Sequence, residues 1–164
     1  MHPASLSAES LLAECDERRL RRSGPGGQHR NKVETAVVLT HRPTSLSAEA
    51  NERRSQQQNR EVAVRRLRVR LAVEHRQPAA DAASDLWRSR TRGTRLTVST
   101  EHADFPTLLA EALDQIAAAD WDEAAAAETL GVSRTQLVKL LKAEPTAFAL
   151  LNRHRVDHGR SPLK

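Results

Sequence analysis

The sequence predicts an α+β fold: a small mixed or antiparallel sheet with one long packed helix, followed by an all-α, helix-turn-helix-like C-terminal segment. Three observations predict it. A β-rich run at Val33–His41 meets a turn signal, Arg42-Pro43-Thr44-Ser45, and a second extended run follows. Residues 56–76 are helix-forming throughout. From Phe105 onward, apolar residues recur at helical spacing. The expected organisation is an α+β domain over 1–76, a basic linker or extension over 77–103, and a helical extension over 104–164. With 38% hydrophobic and 2% aromatic residues, and no Tyr, the core must rest on Leu, Val and Ala. These bury less area than rings do, so modest stability is expected.

In chain order, Ser5 or Ser7 is placed to cap a short helix through Leu11 and Leu12, with Glu9 in its first turn. Glu14–Arg22 reads as extended. Residues 23–32, Ser-Gly-Pro-Gly-Gly-Gln-His-Arg-Asn-Lys, cannot make a helix or a central strand. Three glycines and a proline predict an exposed loop with Gln28 at its tip, able to bring its own main chain close to a reacting group. Leu46–Ala50 should return antiparallel to Val33–His41. Ser55 is the N-cap of the long helix, with Gln58 at the third helical position of a capping box. Along Gln56 to about Arg76, Ala63, Leu67, Leu71 and Glu74 share one face, and Val62, Val69 and Val73 widen it. Arg60, Arg65, Arg66, Arg68 and Arg70 take most of the remainder, which leaves a cationic face free for a polyanion.

Gln77–Ser84 reads as a loop or linker. Trp87-Arg88-Ser89-Arg90-Thr91-Arg92-Gly93-Thr94-Arg95 is a second basic patch with an aromatic inside it, and Leu96–Ser99 is a candidate short strand. Helices are expected over Pro106–Ala119, Asp122–Leu130, Arg134–Ala143 (capped by Ser133) and Pro145–Arg155. Glu123–Leu141 has helix-turn-helix spacing: Ala127 where the first helix must be small, Gly131 where the turn needs positive φ, Leu137 in the core of the second helix. That geometry serves nucleic-acid binding or plain helix packing and protein docking; the acidic balance of the segment favours the second.

The formal charge of +5 is unevenly placed. Residues 18–76 hold fifteen Arg or Lys against five Asp or Glu, whereas 104–164 hold seven against nine. A basic domain of this kind binds phosphate backbone, with affinity that falls as salt rises. The single cysteine, Cys15, excludes an internal disulfide framework, fits a reducing compartment, and reads as a half-buried strand residue rather than a catalytic thiol. Met1–Ser10 lacks the apolar run of a signal peptide and no stretch is long enough to span a bilayer, so a cytoplasmic location is expected. The seven histidines are scattered, no Ser-His-Asp arrangement is near the loop, and neither metal nor cofactor is implied. What remains is positioning and stabilisation of charge by the backbone.

Gly26-Gly27-Gln28 within residues 23–32 resembles the signature loop of the peptide-chain release factor superfamily. Two further blocks match in order: Glu34-Thr35-Ala36-Val37-Val38-Leu39-Thr40-His41-Arg42-Pro43-Thr44, and Glu52-Arg53-Arg54-Ser55-Gln56-Gln57-Gln58-Asn59-Arg60. The resemblance covers roughly Cys15 to Arg76. It implies a ribosome-dependent peptidyl-tRNA hydrolase, with Gly26, Gly27 and Gln28 catalytic. The Gln28 backbone N–H would stabilise the oxyanion or leaving oxygen while its side chain places water. It further implies that His29, Arg30, Asn31 and Lys32, and Arg53, Arg54, Ser55, Gln56, Asn59, Arg60, Arg65 and Arg66, face RNA. The implied partners are the ribosome, its large-subunit RNA and peptidyl-tRNA, with no membrane and a monomeric chain. Only 22 residues precede Ser23 and the helical tail does not look like a codon reader, so codon-independent rescue of stalled ribosomes is the expected class. Short rescue hydrolases of this family often end in a strongly basic tail. Here Arg153 to Lys164 is only mildly basic, which keeps a separated large subunit beside the whole ribosome as substrate. The alternative is a non-catalytic ribosome- or RNA-binding regulatory protein; a DNA-binding regulator would rest on Glu123–Leu141 alone.

Overall fold

The computed structural model describes residues 1–21 and 35–164. These fall into two compact units, Met1–Leu71 and Ala72–Lys164. Among the described residues, no helix is long and apolar enough to cross a membrane.

The first unit begins with a 3-10 turn, Pro3–Ser5, and helix α1, Ala8–Ala13. Ser7 caps α1, its Oγ accepting from the Ser10 N–H at 3.1 Å, and Glu9 lies in the first turn where the helix dipole favours a carboxylate. Three strands follow, β1 (Cys15–Leu20), β2 (Ala36–His41) and β3 (Ser47–Ala50), in the order β1-β2-β3 and antiparallel throughout. β2 is central and carries most of the sheet's buried residues, Ala36, Val37, Leu39 and His41, with Ala50 of β3 beside them. The expected turn closes it: the Ser45 N–H donates to the His41 carbonyl at 2.8 Å, with Ser45 at φ +58°. The buried His41 ring fixes that end of the sheet, its Nδ1 2.8 Å from Thr44 Oγ1 and its Nε2 3.0 Å from Glu14 Oε2.

Helix α2 runs Gln56–Glu74. Its arginines tie it to β3, Arg66 donating to the Glu49 carbonyl and Arg70 to the Ser47 carbonyl. Asn59, Ala63, Leu67 and Leu71 are fully buried at four-residue spacing, one ridge of the helix. The apolar face differs from the expected one in detail. Val64 is buried, Val62 and Val69 are half-buried, and Glu74 is exposed, as befits a charged side chain.

In the second unit, residues 85–96 are folded. Helix α3 (Asp85–Arg90) is capped by Ser84, and β4 (Thr91–Arg92) pairs antiparallel with β5 (Arg95–Leu96). The strand expected over Leu96–Ser99 is therefore shorter and shifted toward the N-terminus. Trp87, expected as an aromatic within a basic patch, is core: it is 0% exposed and its indole N–H donates to the Leu130 carbonyl at 2.9 Å. Four helices complete the unit: α4 (Phe105–Ala118), α5 (Glu123–Leu130), α6 (Arg134–Lys142) and α7 (Pro145–Asp157). Gly131 ends α5 at φ +66°, and Ser133 caps α6, as the helix-turn-helix spacing predicts. Ala127 and Leu137 are both buried.

The α5–α6–α7 arrangement is held by Glu123, whose side chain is 2% exposed. It accepts from Arg134 Nε at 2.9 Å and from Arg155 Nη1 at 2.6 Å. Burial alone would raise its pKa. Hydrogen bonds from Arg134, from its own backbone N–H and from Arg155 outweigh that and hold it below the usual glutamate range. Beside it, Trp121 stacks on His154 with ring centroids 3.6 Å apart.

Removing the Glu123 carboxylate leaves Arg155 buried without its counter-charge. Glu123→Ala should lower stability by about 3 kcal/mol in a denaturant titration. Because the folded-state pKa is depressed, this contribution is present above the unfolded glutamate value of about 4.3 and is lost as pH falls through the lower folded value. Glu123→Gln should therefore show a shallower loss of stability over that acid window than the wild type.

Candidate nucleic-acid interface

The β1–β2 register sets the frame of the candidate site. Leu20 pairs with Ala36, the last such partners in the ladder, so the two ends of the connection 21–35 leave the sheet side by side. That connection carries Gly26, Gly27, Gln28, His29, Arg30, Asn31 and Lys32, all of which lie outside the described residues.

The second expected block, residues 52–60, is described in full. Arg53 and Arg54 are exposed on the segment before α2, and Ser55 Oγ accepts from the Gln58 N–H at 3.4 Å. Asn59 departs from the expected RNA-facing role. It is 0% exposed, and its amide is fully used. Nδ2 donates to the Thr35 carbonyl at 2.7 Å and to the Arg53 carbonyl at 2.9 Å, while Oδ1 accepts from the Arg53 N–H at 2.8 Å. The residue before β2 and the turn before α2 are thus bolted to one side chain. The signal for this was in the sequence: Asn59 falls on the same four-residue ridge as Ala63, Leu67 and Leu71, and a buried polar side chain must find partners.

The expected arginines are also held, by carboxylates that the sequence reading did not single out. Arg60 Nε is 2.7 Å from Glu17 Oε2 on β1, and Arg19 Nε reaches Glu17 Oε1 at 3.2 Å. Arg66 grips Glu52 through both nitrogens, at 2.6 and 3.2 Å. Burial alone would raise the Glu52 pKa; hydrogen bonds from the Asn51 N–H and its own, with Arg66, keep it below the usual range. Arg60 and Arg66 nonetheless keep about half of their side-chain surface in solvent, 47% and 50%. Arg65 is exposed and Gln56 half-buried. The resulting surface presents cations braced from behind, suited to phosphate rather than to a small ligand.

Cys15 sits in β1, half-buried. Burial pushes its thiol pKa up, away from the reactive thiolate. Among the described residues, no group of three His, Cys, Asp or Glu is arranged to hold a metal ion.

Residues 11–103, more than half of the chain, match the RF-1 domain family. Curated relatives agree over the same region. The chain is 42% identical over 94 residues to peptide chain release factor 1 of Streptococcus pneumoniae, covering 54% of this chain and 26% of that protein. It is 40% identical over 86 residues to peptide chain release factor 1 of Streptomyces avermitilis, covering 52% and 24%. The match thus spans about a quarter of the length of these relatives.

Asn59→Ala should cost about 2–3 kcal/mol by chemical denaturation, since it removes a fully buried amide and takes from the Arg53 N–H and the Thr35 and Arg53 carbonyls their shared partner. Arg54→Ala, at an exposed position, should stay within about 0.5 kcal/mol of wild type in the same titration.

Proposed function

This chain belongs to the RF-1 domain family, and from that premise we propose that it hydrolyses the ester of peptidyl-tRNA on the ribosome or its large subunit, without reading a codon. Gly26-Gly27-Gln28, on the connection between two strands paired at Leu20 and Ala36 and within the matched region, carries this reading.

In the proposed reaction, water attacks the carbonyl carbon joining the peptide to the terminal ribose of tRNA. A tetrahedral oxyanion forms, the bond to the ribose oxygen breaks, and that oxygen takes up a proton. The products are a free peptide acid and deacylated tRNA. This chain would supply a backbone N–H from Gln28 to the developing negative charge, and the Gln28 side chain would position water. One such donor is worth about 2.7–4 kcal/mol. Gly26 and Gly27 would allow the main chain to approach closely. Arg53, Arg54 and Arg65 on the cationic surface, together with His29, Arg30, Asn31 and Lys32, would hold ribosomal RNA, while Arg60 and Arg66 add charge from fixed positions. An enzyme built this way borrows much of its active site from RNA and should be almost inert on free substrate. The reaction would run in the cytoplasm, where ribosomes act.

The test is release of a labelled peptide from stalled ribosomes and from separated large subunits with no stop codon present. Gln28→Ala should abolish release while ribosome binding persists. Gln28→Pro, which lacks both the side chain and the N–H, should release no more peptide than Gln28→Ala. Equal release by wild type and Gln28→Ala would overturn the reading.

A further inference from the structure

The second unit carries a cationic surface that the proposed hydrolysis does not use. In the β4–β5 hairpin, Arg92 and Arg95 are direct cross-strand partners. Like charges placed opposite one another destabilise a strand pair. Both are exposed, and among the described residues neither side chain has an ion pair or hydrogen bond. The hairpin turns through Gly93 at φ +57°, where a two-residue loop of this hand needs glycine, so the opposed arginines are built into a tight frame. Trp87, the buried residue of α3, anchors the element that leads into it.

The hairpin is not isolated. The Thr94 carbonyl accepts from the Ser133 N–H at 3.0 Å, which fixes the turn against the start of α6. A depression runs between β5 and α6, with Arg95 and Thr97 on one wall and Gln136 and Lys139 on the other. A second lies on the other side of Thr97, beside Ser89 and Arg92. Neither is lined by a carboxylate. Nearby acids are already engaged: Asp104 accepts from Arg90 at 2.5 Å, and Glu144 from the Thr146 hydroxyl at 2.6 Å. Lys139 is exposed and also without an ion pair among the described residues.

We propose that Arg92, Arg95 and Lys139 form a second RNA-binding surface, taking successive phosphates of a double-helical RNA backbone while Gln136 and Thr97 supply hydrogen bonds. An external polyanion removes the repulsion within the hairpin, and the depressions on both sides of Thr97 match a strand of phosphates better than a single small anion. The choice of RNA over DNA rests on the proposed hydrolysis of peptidyl-tRNA; the phosphate contact itself rests on the hairpin and α6 alone.

The experiment uses the full chain and a short fluorescent duplex RNA, with affinity followed by anisotropy across a salt series. Each lost phosphate contact removes about 0.9 from the slope of log affinity against log salt, so Arg92→Ala/Arg95→Ala should lower it by about 1.8 and weaken binding about tenfold. Lys139→Ala should lower it by about 0.9. All three positions are exposed, so neither variant should melt below wild type, and the double variant, relieved of the repulsion, should melt slightly above it. No binding of duplex RNA by the wild type, or unchanged slopes in both variants, would overturn the proposal. Tighter binding of duplex DNA than of RNA would overturn the RNA assignment, and binding of an acidic peptide in place of RNA would make this a protein-docking face and overturn it too. Duplex affinity reads no hydrolysis, so failure here and failure of the Gln28 test remain separate results.

Discussion

Asn59 donates to the carbonyls of Thr35 and Arg53 and accepts from the Arg53 N–H, and these three bonds decide how the first unit presents itself. Thr35 precedes β2, and Arg53 belongs to the turn that displays two exposed arginines. Without the clamp, two segments far apart in sequence would be joined only through the helix and the sheet. The cost of leaving such buried groups unpaired exceeds the modest net gain of a made hydrogen bond, so the amide acts more as a constraint on alternatives than as a source of stability. The reaction proposed above needs such a fixed base on either side of the β1–β2 connection, because a small misplacement of a positioned group costs much of the rate.

The arginines divide by what stands behind them. Arg60 and Arg66 lie on carboxylates, Glu17 and Glu52, yet expose half of their surface. Pairing at such exposed sites contributes little to stability. Its effect is to hold a long side chain in one place, so that less freedom would be lost in the proposed contact with phosphate. Arg134 and Arg155 are different: they converge on a nearly buried Glu123 and serve the packing of α5, α6 and α7. Arg92 and Arg95 form a third group, opposed to each other with no acid between them. Local chemistry, and not residue type, separates the arginines that serve packing from those that keep their charge in solvent.

Much of this was legible in the sequence. Ser7, Ser133 and Gly131 announced their helix ends because capping and positive φ are local demands that few residue types meet. The β2–β3 hairpin followed from the turn signal at Arg42–Ser45, whereas the pairing of β1 with β2 depends on contacts across the connection and was read only as an extended segment. What was not legible depends on contacts distant in sequence. Trp87 sits among arginines in the chain, yet its indole N–H finds the Leu130 carbonyl and its ring fills the core. Asn59 sits in a polar block that reads as surface, yet the ridge through Ala63, Leu67 and Leu71 turns it inward. Glu74 shows the reverse error, an exposed acid counted into an apolar stripe. Gly26, Gly27 and Gln28 were the plainest signal in the chain, and they lie outside the described residues.

The polar residues that mattered most were those whose pairing is complete. A fully satisfied Asn59 and a fully satisfied Glu123 leave nothing for a ligand, so their burial marks scaffold even though each lies in a charged neighbourhood. Binding function is then sought where pairing is incomplete and geometry is still enforced. Arg53 and Arg54 meet that condition because their turn is clamped while their side chains are exposed. The hairpin meets it because Gly93 and the Thr94–Ser133 hydrogen bond fix a backbone that holds two like charges together. A frame that maintains repulsion at some cost to its own stability is explained most simply by an anion that arrives from outside.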